Sequence, residues 1–336
     1  MATHSAILGM GIFYKKQLDW SVNMEPIFLE AVLQDKIWGG TKLRDEFGYD
    51  IPTETTGEHW SISAHPNGPS TIKNGEHAGK TLAELWDSNR ELFGNQEGDV
   101  FPLLTKIIDA HNDLSVQVHP DDDYGLENEG ELGKTECWYI LSAEEDAEII
   151  FGHYANSKEE YHDMIEKGNW DKLLRPIKVH PGDFFYVPSG TVHAIGAGVM
   201  VLETQQSSDT TYRLYDYDRK DDEGNLRDLH IQQSIDVSTI PHQDPQPEMK
   251  VQTVGDSEIK ELISNDFFTV YEWSVKDSLA MTRKGLYTLV SIVDGKGAIT
   301  VADKDYPLEK GDHFILTHDI KEWDLTGDLH IIASHP

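Results

Sequence analysis

Polar side chains recur two residues apart inside apolar segments of this chain. Gln117 and His119 occupy such positions in "LSVQVHP", and Lys134 and Glu136 repeat the spacing in "GKTECWYIL". On a β-strand, residues two apart face the same side of the sheet. A further candidate, His193, ends the segment "GDFFYVPSGTVH". Two imidazoles, a carboxylate and a Gln amide oxygen suit a borderline divalent cation such as Zn²⁺, although a hydrogen-bonded core role is the alternative for each histidine.

The elements around these residues are mostly short strands. From Phe101 onward, apolar runs such as "FPLLTKIID", "ECWYILS" and "DFFYVPS" are separated by Gly, Asn, Asp and Pro, a pattern typical of a jelly-roll sandwich or barrel. Residues 79–93 predict a helix, because apolar residues at helical spacing follow a capping box of Thr81 and Glu84. Residues 157–174 predict a second helix with one apolar face. The predicted fold class is mainly β, a jelly-roll β-barrel with a few helices.

The chain divides into a catalytic part and a smaller C-terminal part. A Pro-rich connector at 241–249 separates a predicted metal-binding domain, residues 24–240, from a β domain at 250–336. Residues 1–23 are expected to be an N-terminal extension outside the fold, because Met24 opens a clean beginning, "MEPIFLEAVLQDKIWGG".

The two parts of the chain share a similar sequence segment. "HPGDFFYVPSGTVH" and "EKGDHFILTHDIKE" both contain a Gly-Asp turn followed by an apolar strand, which suggests an internal duplication. When Gly182 is aligned with Gly311, Glu322 takes the place of His193. The C-terminal copy has lost the histidine, so we expect a degenerate domain that supports the first one.

Composition narrows the range of partners. The chain has 336 residues, with 28 Lys and Arg against 60 Asp and Glu, and a formal net charge of -32. This charge opposes binding to nucleic acid or to an anionic membrane, and it requires local cations wherever a ligand is itself an anion. Cys137 is the only cysteine, which excludes an intrachain disulfide and fits a cytoplasmic location. No apolar segment is long enough to span a bilayer.

Taken together, the motifs resemble those of a known family. Gln117, His119 and Glu136 are similar to the first motif of the cupin superfamily, and the spacing from Gly182 to His193 is similar to the second. The segments "LQDKIWGG", "GEHWSISAHPNGPS", "VPSGTVHAIG" and "TYRLYDYDR" follow the order found in the short bacterial form of type I mannose-6-phosphate isomerase. This resemblance implies a cupin catalytic domain followed by a degenerate cupin-like β domain.

The resemblance also implies an activity and a metal. Members of the family interconvert mannose 6-phosphate and fructose 6-phosphate through an enediol-like state, with one Zn²⁺ per chain. The implied zinc ligands in this sequence are Gln117, His119, Glu136 and His193.

Four more residues match positions near the substrate in that family. Arg213, in "TYRLYDYDR", matches an arginine that stabilises the oxyanion, and Lys134 matches a pocket lysine that shuttles a proton or positions the substrate. Ser115 shares a strand face with Gln117, Lys106 lies on the preceding strand, and both match positions near the phosphate. The implied partner is a small sugar phosphate, while the catalytic base and the choice between monomer and homodimer stay open.

Two other functions are alternatives. A metal-dependent cupin oxygenase uses similar ligands, although Gln117 at the first ligand position and the pocket lysines argue against it. A non-catalytic sugar-phosphate-binding cupin would keep the pocket without turnover.

Several residues near the motifs are given minor roles. Glu58 and Glu203 are predicted to be carboxylates that support a ligand or the arginine. Cys137 is expected to face away from the pocket, because it alternates with Glu136 along a strand. The acidic run Asp121–Asp123 lacks a complete calcium-binding loop and predicts a solvated turn.

Overall fold

The computed structural model describes residues 24–221 and 223–336, so the extension expected at 1–23 lies outside the described residues. The described chain forms three antiparallel sheets and six α-helices, with elements numbered in chain order. The helices are α1 (Lys42–Phe47), α2 (Leu82–Ser88), α3 (Asp122–Asn128), α4 (Lys158–Glu166), α5 (Trp170–Leu173) and α6 (Ile231–Val237), with a 3₁₀-helix at Arg90–Phe93.

Two of the sheets form the jelly roll that contains the candidate site. The six-stranded sheet consists of β2 (Val32–Gly40), β3 (Thr56–Ile62), β5 (Leu103–Ala110), β7 (Glu136–Ala143), β10 (Phe184–Val187) and β12 (Val199–Gln206). Its spatial order is β10-β7-β12-β5-β3-β2. The five-stranded sheet consists of β6 (Val116–Val118), β8 (Glu148–His153), β9 (Leu174–Lys178), β11 (His193–Ile195) and β13 (Tyr212–Tyr215). Its order is β13-β6-β11-β8-β9.

Apolar side chains from both sheets fill part of the space between them. Trp138 and Ile140 of β7 belong to one buried cluster with Phe151 of β8 and Ile195 of β11. Successive residues of a strand face opposite ways, so Cys137 joins a different core on the outer side of the six-stranded sheet, as the sequence predicted. This sheet is buried on both faces, which explains why β12 is buried along its whole length.

The third sheet contains the C-terminal part of the chain. Its strands are β1 (Ile27–Glu30), β4 (Thr71–Ile72), β14 (Lys250–Val254), β15 (Ser257–Ser264), β16 (Thr269–Thr282), β17 (Thr288–Val301), β18 (Lys304–Glu309), β19 (His313–Leu316) and β20 (Glu322–His335). Ile27 of β1 lies opposite Ile315 of β19. The sheet is therefore shared by both parts of the chain, and the division into 24–240 and 250–336 stays a prediction.

The C-terminal sheet surrounds an apolar core of its own. Trp273, Leu325 and Ile331 are among the residues that pack together there. Glu322, which aligns with His193, is exposed at the start of β20. The position that holds a histidine in the first copy thus faces solvent in the second.

Both stretches that predicted helices are helical, and each contains one interruption. Residues 79–93 form α2 and the 3₁₀-helix, and the capping box is present. The Glu84 amide donates to Thr81 Oγ1 at 3.2 Å, and the Thr81 amide donates to Glu84 Oε2 at 2.8 Å. Residues 157–174 form α4 and α5, which are separated at Gly168, where φ is 64°. None of the helices in the described ranges is long and apolar enough to cross a membrane.

The acidic run at 121–123 begins a helix, and the prediction of a solvated turn is wrong. Asp121 is the N-cap of α3, and its Oδ1 accepts a hydrogen bond from the Tyr124 amide at 2.9 Å. Asp122 and Asp123 occupy the first turn, where carboxylates offset the partial positive charge of a helix N-terminus. The helix was missed because it is short and buries only Gly125, so it has no apolar periodicity.

Candidate metal centre and substrate cavity

Three buried side chains converge between the two sheets of the jelly roll. His119, Glu136 and His193 each place one nitrogen or oxygen atom within 4.8 Å of the others. His119 Nε2 lies 3.4 Å from Glu136 Oε2, and His193 Nε2 lies 3.3 Å from Glu136 Oε1. Gln117 completes this candidate metal centre, because its amide nitrogen lies 3.4 Å from His193 Nε2. A half-turn of that amide would place its oxygen there instead.

Strand pairing brings these residues together from distant parts of the sequence. Gln117 in β6 lies directly opposite His193 in β11, and His119 follows β6 two residues after Gln117. Glu136 is the first residue of β7 in the facing sheet. The candidate metal centre therefore takes its two imidazoles and its amide from one sheet and its carboxylate from the other.

The two imidazoles are oriented by carbonyl groups behind them. His119 Nδ1 is 2.9 Å from the carbonyl oxygen of Thr210, and His193 Nδ1 is 2.8 Å from that of Thr191. A carbonyl oxygen only accepts hydrogen bonds, so each Nδ1 carries the hydrogen and each Nε2 carries a lone pair. Both lone-pair nitrogens face Glu136, the arrangement that histidine ligands of metals commonly have.

The charge states also fit a metal. Burial, together with the charge of Lys134, lowers the pKa of His119 to about 3, and burial lowers the pKa of His193. Burial raises the pKa of Glu136, but Lys134 and the two imidazoles outweigh it and hold the pKa well below its usual value. Among residues 24–221 and 223–336, His119 Nε2 and both Glu136 oxygens form no hydrogen bond of acceptable geometry, and Glu136 Oε2 has Lys134 Nζ as an ion-pair neighbour at 3.1 Å. Two neutral imidazoles, a carboxylate and an amide are a donor set that fits Zn²⁺.

A cavity of about 330 Å³ adjoins the candidate metal centre and concentrates positive charge. Its cationic lining residues are Lys36, Lys106, Lys134, Arg213 and Arg227. Its acidic lining residues are Glu58, Glu203 and Asp209. Five cations against three carboxylates make this cavity locally positive in a chain whose formal net charge is -32. Such a pocket attracts an anionic ligand at short range.

Two rows of side chains, one from each sheet, form facing walls of the cavity. Arg213 of β13 lies opposite Gln117 of β6, so it is one strand away from the candidate metal centre. In the other sheet, Glu203 of β12 lies between Trp138 of β7 and Lys106 of β5. The antiparallel register thus determines which chemical groups meet across the cavity.

Two family models match this chain. "Phosphomannose isomerase type I, catalytic domain" matches residues 27–170, and "Mannose-6-phosphate isomerase, cupin domain" matches residues 258–336. The curated mannose-6-phosphate isomerase of Streptococcus mutans is 60% identical over 313 residues, which cover 93% of this chain and 98% of that protein. This chain belongs to the type I phosphomannose isomerase family. ManA of Bacillus subtilis, also named a mannose-6-phosphate isomerase, is 52% identical over 93% of this chain and 99% of its own length.

Solved structures agree with this assignment. The crystal structure of the mannose 6-phosphate isomerase from Bacillus subtilis matches with a TM-score of 0.91 at 52% identity, over 93% of this chain and 99% of that one. A variant of phosphomannose isomerase from Salmonella typhimurium matches with a TM-score of 0.75 at 16% identity, over 92% and 99% of the two chains, which shows the fold alone. The predicted cupin-type fold is confirmed, although the three sheets of the described chain remain separate and form no closed barrel.

In this phosphomannose isomerase family member, the structure brings together the eight predicted site residues. Four of them form the candidate metal centre described above. The other four, together with Gln117, line the adjoining cavity: Ser115, Lys106, Lys134 and Arg213. Their individual roles stay predictions.

Other cavity residues were missed by the sequence analysis. Lys36, Asp209 and Thr211 line the cavity. Lys36 and Thr211 lie inside the quoted segments "LQDKIWGG" and "TYRLYDYDR", but neither was assigned a role, and Asp209 lies outside them. Arg227 also lines it, but it belongs to the charged segment 216–228, whose sequence looks like an ordinary solvated loop. The signal for Asp209 and Thr211 was their closeness to Arg213 in the chain.

Glu203 is a buried carboxyl group in the cavity wall. Its Oε1 accepts a hydrogen bond from Trp138 Nε1 at 3.1 Å, while its Oε2 has no hydrogen-bond partner in the described part of the chain. Burial and the nearby charge of Glu136 raise the pKa of Glu203 to about 7.

Lys134 Nζ lies 3.1 Å from Glu136 Oε2. Burial lowers the pKa of Lys134, but Glu136 and Glu203 outweigh this and raise it above its usual value.

Arg213 keeps hydrogen-bonding capacity free at the cavity. Its Nη1 donates to the carbonyl oxygen of Asp228 at 2.9 Å, and its Nε has no partner among the described residues. Asp216 is instead engaged by Arg219 and Arg227, both at 2.6 Å. Burial and the charge of Arg227 lower the pKa of Arg213, yet a guanidinium stays protonated at neutral pH.

Glu58 lies between two lysines at the cavity wall. Its Oε2 is 3.2 Å from Lys36 Nζ and 4.0 Å from Lys106 Nζ, and it accepts a hydrogen bond from Trp60 Nε1 at 2.7 Å. Burial raises the pKa of Glu58, but the charges of Lys106 and Lys36 outweigh it and lower the pKa to about 2. Glu58 is therefore ionised at neutral pH and offsets the charge of Lys106, which is 3% exposed.

We expect Glu58→Gln to lower the free energy of unfolding at pH 7 by about 3 kcal/mol, because Lys106 then stays buried without its carboxylate. The folded-state pKa of Glu58, about 2, lies below its ordinary value of 4.5. Its stabilising effect is thus fully present above about pH 4.5 and is lost as the pH falls towards 2. Urea denaturation of both proteins at a series of pH values should show the difference between them shrinking over that range.

Glu54→Gln is the matched control for this measurement. The Glu54 carboxylate also bonds a cation, Arg44, at 2.7 Å, but its side chain is 76% exposed. We expect a change of about 1 kcal/mol or less at any pH. A deficit for Glu58→Gln that is the same at pH 3 and pH 7 would contradict the proposed charge interaction.

Proposed function

We propose that this chain is a Zn²⁺-dependent aldose–ketose isomerase that interconverts D-mannose 6-phosphate and D-fructose 6-phosphate. One observation carries the proposal: a buried group of two histidines and a glutamate adjoins a cavity lined by lysines and arginines. The substrate is inferred from relatives that are named mannose-6-phosphate isomerases and align over almost their whole length.

The candidate metal centre would hold one zinc ion per chain. The proposed ligands are Gln117, His119, Glu136 and His193. Bound Zn²⁺ supplies Lewis-acid polarisation of the sugar oxygens. The carbonyl groups of Thr210 and Thr191 keep the imidazoles in the tautomer that a divalent cation requires.

We assign the phosphate end of the cavity to Ser115 and Lys106. Both line the cavity, and they are 4% and 3% exposed. A hydroxyl donor and an ammonium group together form an anion site. Among the ion pairs of the described residues, Glu58 is the one carboxylate that lies within 4.0 Å of Lys36 and Lys106, so this wall keeps a positive charge that offsets the acidity of the rest of the chain at short range.

The isomerisation moves protons without net oxidation. From aldose to ketose, the C2 hydrogen leaves as a proton, C1 gains a proton, and the hydroxyl proton on O2 is exchanged for one on O1. Arg213 lies beside Gln117 across the sheet, so we assign its guanidinium to stabilise the oxyanion of the enediol-like state. Lys134 lines the same cavity next to Glu136, and we assign it to positioning the substrate or shuttling a proton.

A coupled assay of mannose 6-phosphate consumption tests this proposal. We expect turnover by the purified protein, loss of turnover after treatment with a chelator, recovery on addition of Zn²⁺, and one metal ion per chain by elemental analysis. Turnover that a chelator leaves unchanged would contradict the metal dependence. Oxygen uptake with bound iron or copper and no isomerisation would identify an oxygenase, and binding of the sugar phosphate without turnover would identify a binding protein.

A further inference from the structure

We infer that Glu131 is a positioning residue for the candidate metal centre. It holds the segment 207–211 in the place where that segment orients His119. The inference rests on the proposed function only in requiring that the centre binds a metal. Glu131 lies in the loop between α3 and β7 and was not marked by any sequence motif.

The Glu131 carboxylate bonds two consecutive residues of this segment. Its Oε1 accepts a hydrogen bond from the Asp209 amide at 3.2 Å, and its Oε2 accepts one from Thr210 Oγ1 at 2.7 Å. The carbonyl oxygen of Thr210 in turn accepts the hydrogen bond from His119 Nδ1 at 2.9 Å. One carboxylate thus holds the backbone of Asp209 and the side chain of Thr210, and Thr210 supplies the carbonyl oxygen that orients His119.

Glu131 is itself anchored from a third element. His65 Nε2 lies 2.7 Å from Glu131 Oε1, and the amide of Asn67 donates to His65 Nδ1 at 3.2 Å. Because Nδ1 accepts, the hydrogen of the neutral ring is on Nε2, and the ring donates to the carboxylate. Burial raises the pKa of Glu131, but the hydrogen bonds from Thr210 and His65 outweigh it and lower the pKa. The carboxylate of Glu131 is therefore ionised at neutral pH and accepts three hydrogen bonds.

The two imidazoles of the centre differ in what orients them. His193, the first residue of β11, donates to Thr191, which lies only two residues earlier in the chain. His119 donates to Thr210, which is 91 residues away in the sequence. The orientation of His193 thus depends on local backbone, whereas that of His119 depends on a segment that tertiary contacts hold in place.

The same segment also lines the substrate cavity. Asp209 and Thr211 are cavity residues, and Asn67 Nδ2 donates to Asp209 Oδ2 at 3.0 Å. Loss of the Glu131 contacts would therefore displace the acceptor of His119 and part of the cavity wall together. We expect weaker metal binding accompanied by a higher KM for the sugar phosphate.

Glu131→Ala tests this inference through the metal alone, before any substrate is added. Loss of a group that orients a metal ligand lowers metal affinity about 10- to 100-fold. We expect Zn²⁺ to pass from Glu131→Ala to a chromophoric chelator at least about tenfold faster than from the wild type. Glu129→Ala is the matched control. Glu129 lies in the same loop and accepts a hydrogen bond from Tyr212 Oη at 2.8 Å. Among the described residues it forms no hydrogen bond with Thr210, whose hydroxyl donates to Glu131, so its variant should release Zn²⁺ at the wild-type rate.

A second pair of variants covers the case in which Glu131→Ala does not fold. Thr210→Val removes the hydroxyl that Glu131 binds, and Thr210→Ser keeps it. We expect faster Zn²⁺ release from Thr210→Val and near wild-type release from Thr210→Ser, with both folded by circular dichroism. Wild-type release rates in Glu131→Ala, or in Thr210→Val if that is the variant measured, would overturn the inference and leave the proposed function intact. A wild type that binds no Zn²⁺ would overturn the proposed function and the inference with it.

Discussion

Replacing His119 by alanine is expected to remove metal and activity together. His119 supplies one of the two imidazole nitrogens that face Glu136, and its side chain is 1% exposed. Loss of an outer partner of a ligand lowers metal affinity about 10- to 100-fold, and loss of a nitrogen ligand should lower it further. Elemental analysis after dialysis measures the metal, and the coupled assay measures turnover.

Two further variants make this result interpretable. His119→Gln keeps a side chain in the buried space, so it tests ligation if His119→Ala does not fold. His162→Ala is the control, because His162 is exposed on α4 and contacts only Glu166 at 3.6 Å among its described charged neighbours. We expect His162→Ala to retain metal and activity. Full metal content and turnover in both His119 variants would exclude His119 as a ligand.

Replacing Arg213 by lysine is expected to lower turnover about 100- to 1,000-fold while leaving the zinc content unchanged. Lysine keeps the charge but lacks the planar set of donors that a guanidinium presents. Arg213 lies one strand from Gln117, so the variant changes the group that we assign to the oxyanion without removing a proposed ligand. Steady-state kinetics should show the loss mainly in kcat, because an oxyanion interaction forms in the transition state.

Arg219→Lys is the control for this variant. Arg219 lies six residues further along the chain and bonds Asp216 at 2.6 Å, but it is not among the residues that line the cavity. We expect a much smaller change in kcat for Arg219→Lys. If Arg213→Lys loses zinc in proportion to its activity, Arg213 has a structural role and does not stabilise the oxyanion.

Local patterns in the sequence were sufficient for much of the candidate site. The spacing of Gln117, in β6, and His119, just after β6, predicted that both side chains point to one site, and both reach the candidate metal centre. The same alternation placed Glu136 towards the candidate metal centre and Cys137 away from it. Thr81 and Glu84 form the capping box that their spacing predicted. These features depend on residues that are close in the chain, so their geometry follows from strand and helix periodicity.

Contacts between segments that are distant in the chain could not be predicted from these local patterns. The pairing of β1 with β19 joins residues almost 290 positions apart, and nothing in the sequence of Ile27–Glu30 specifies it. The three hydrogen bonds that Glu131 accepts come from two further segments. Arg227 reaches the cavity from a segment whose composition is that of a solvated loop.

The sequence by itself determined the kind of most elements, though not that of α3, the faces on which the candidate ligands lie, and the family, because these depend on local spacing and on motifs that keep their order. Only the tertiary structure decided which groups meet. It placed two imidazoles against one carboxylate and five cations with three carboxylates around one cavity. It also placed the carboxylate of Glu131, from another loop, where it holds Thr210, whose carbonyl oxygen orients His119. The physical reason is that pKa values, ligand orientation and local charge are set by what lies within a few ångströms, and strand register brings those neighbours from distant parts of the chain.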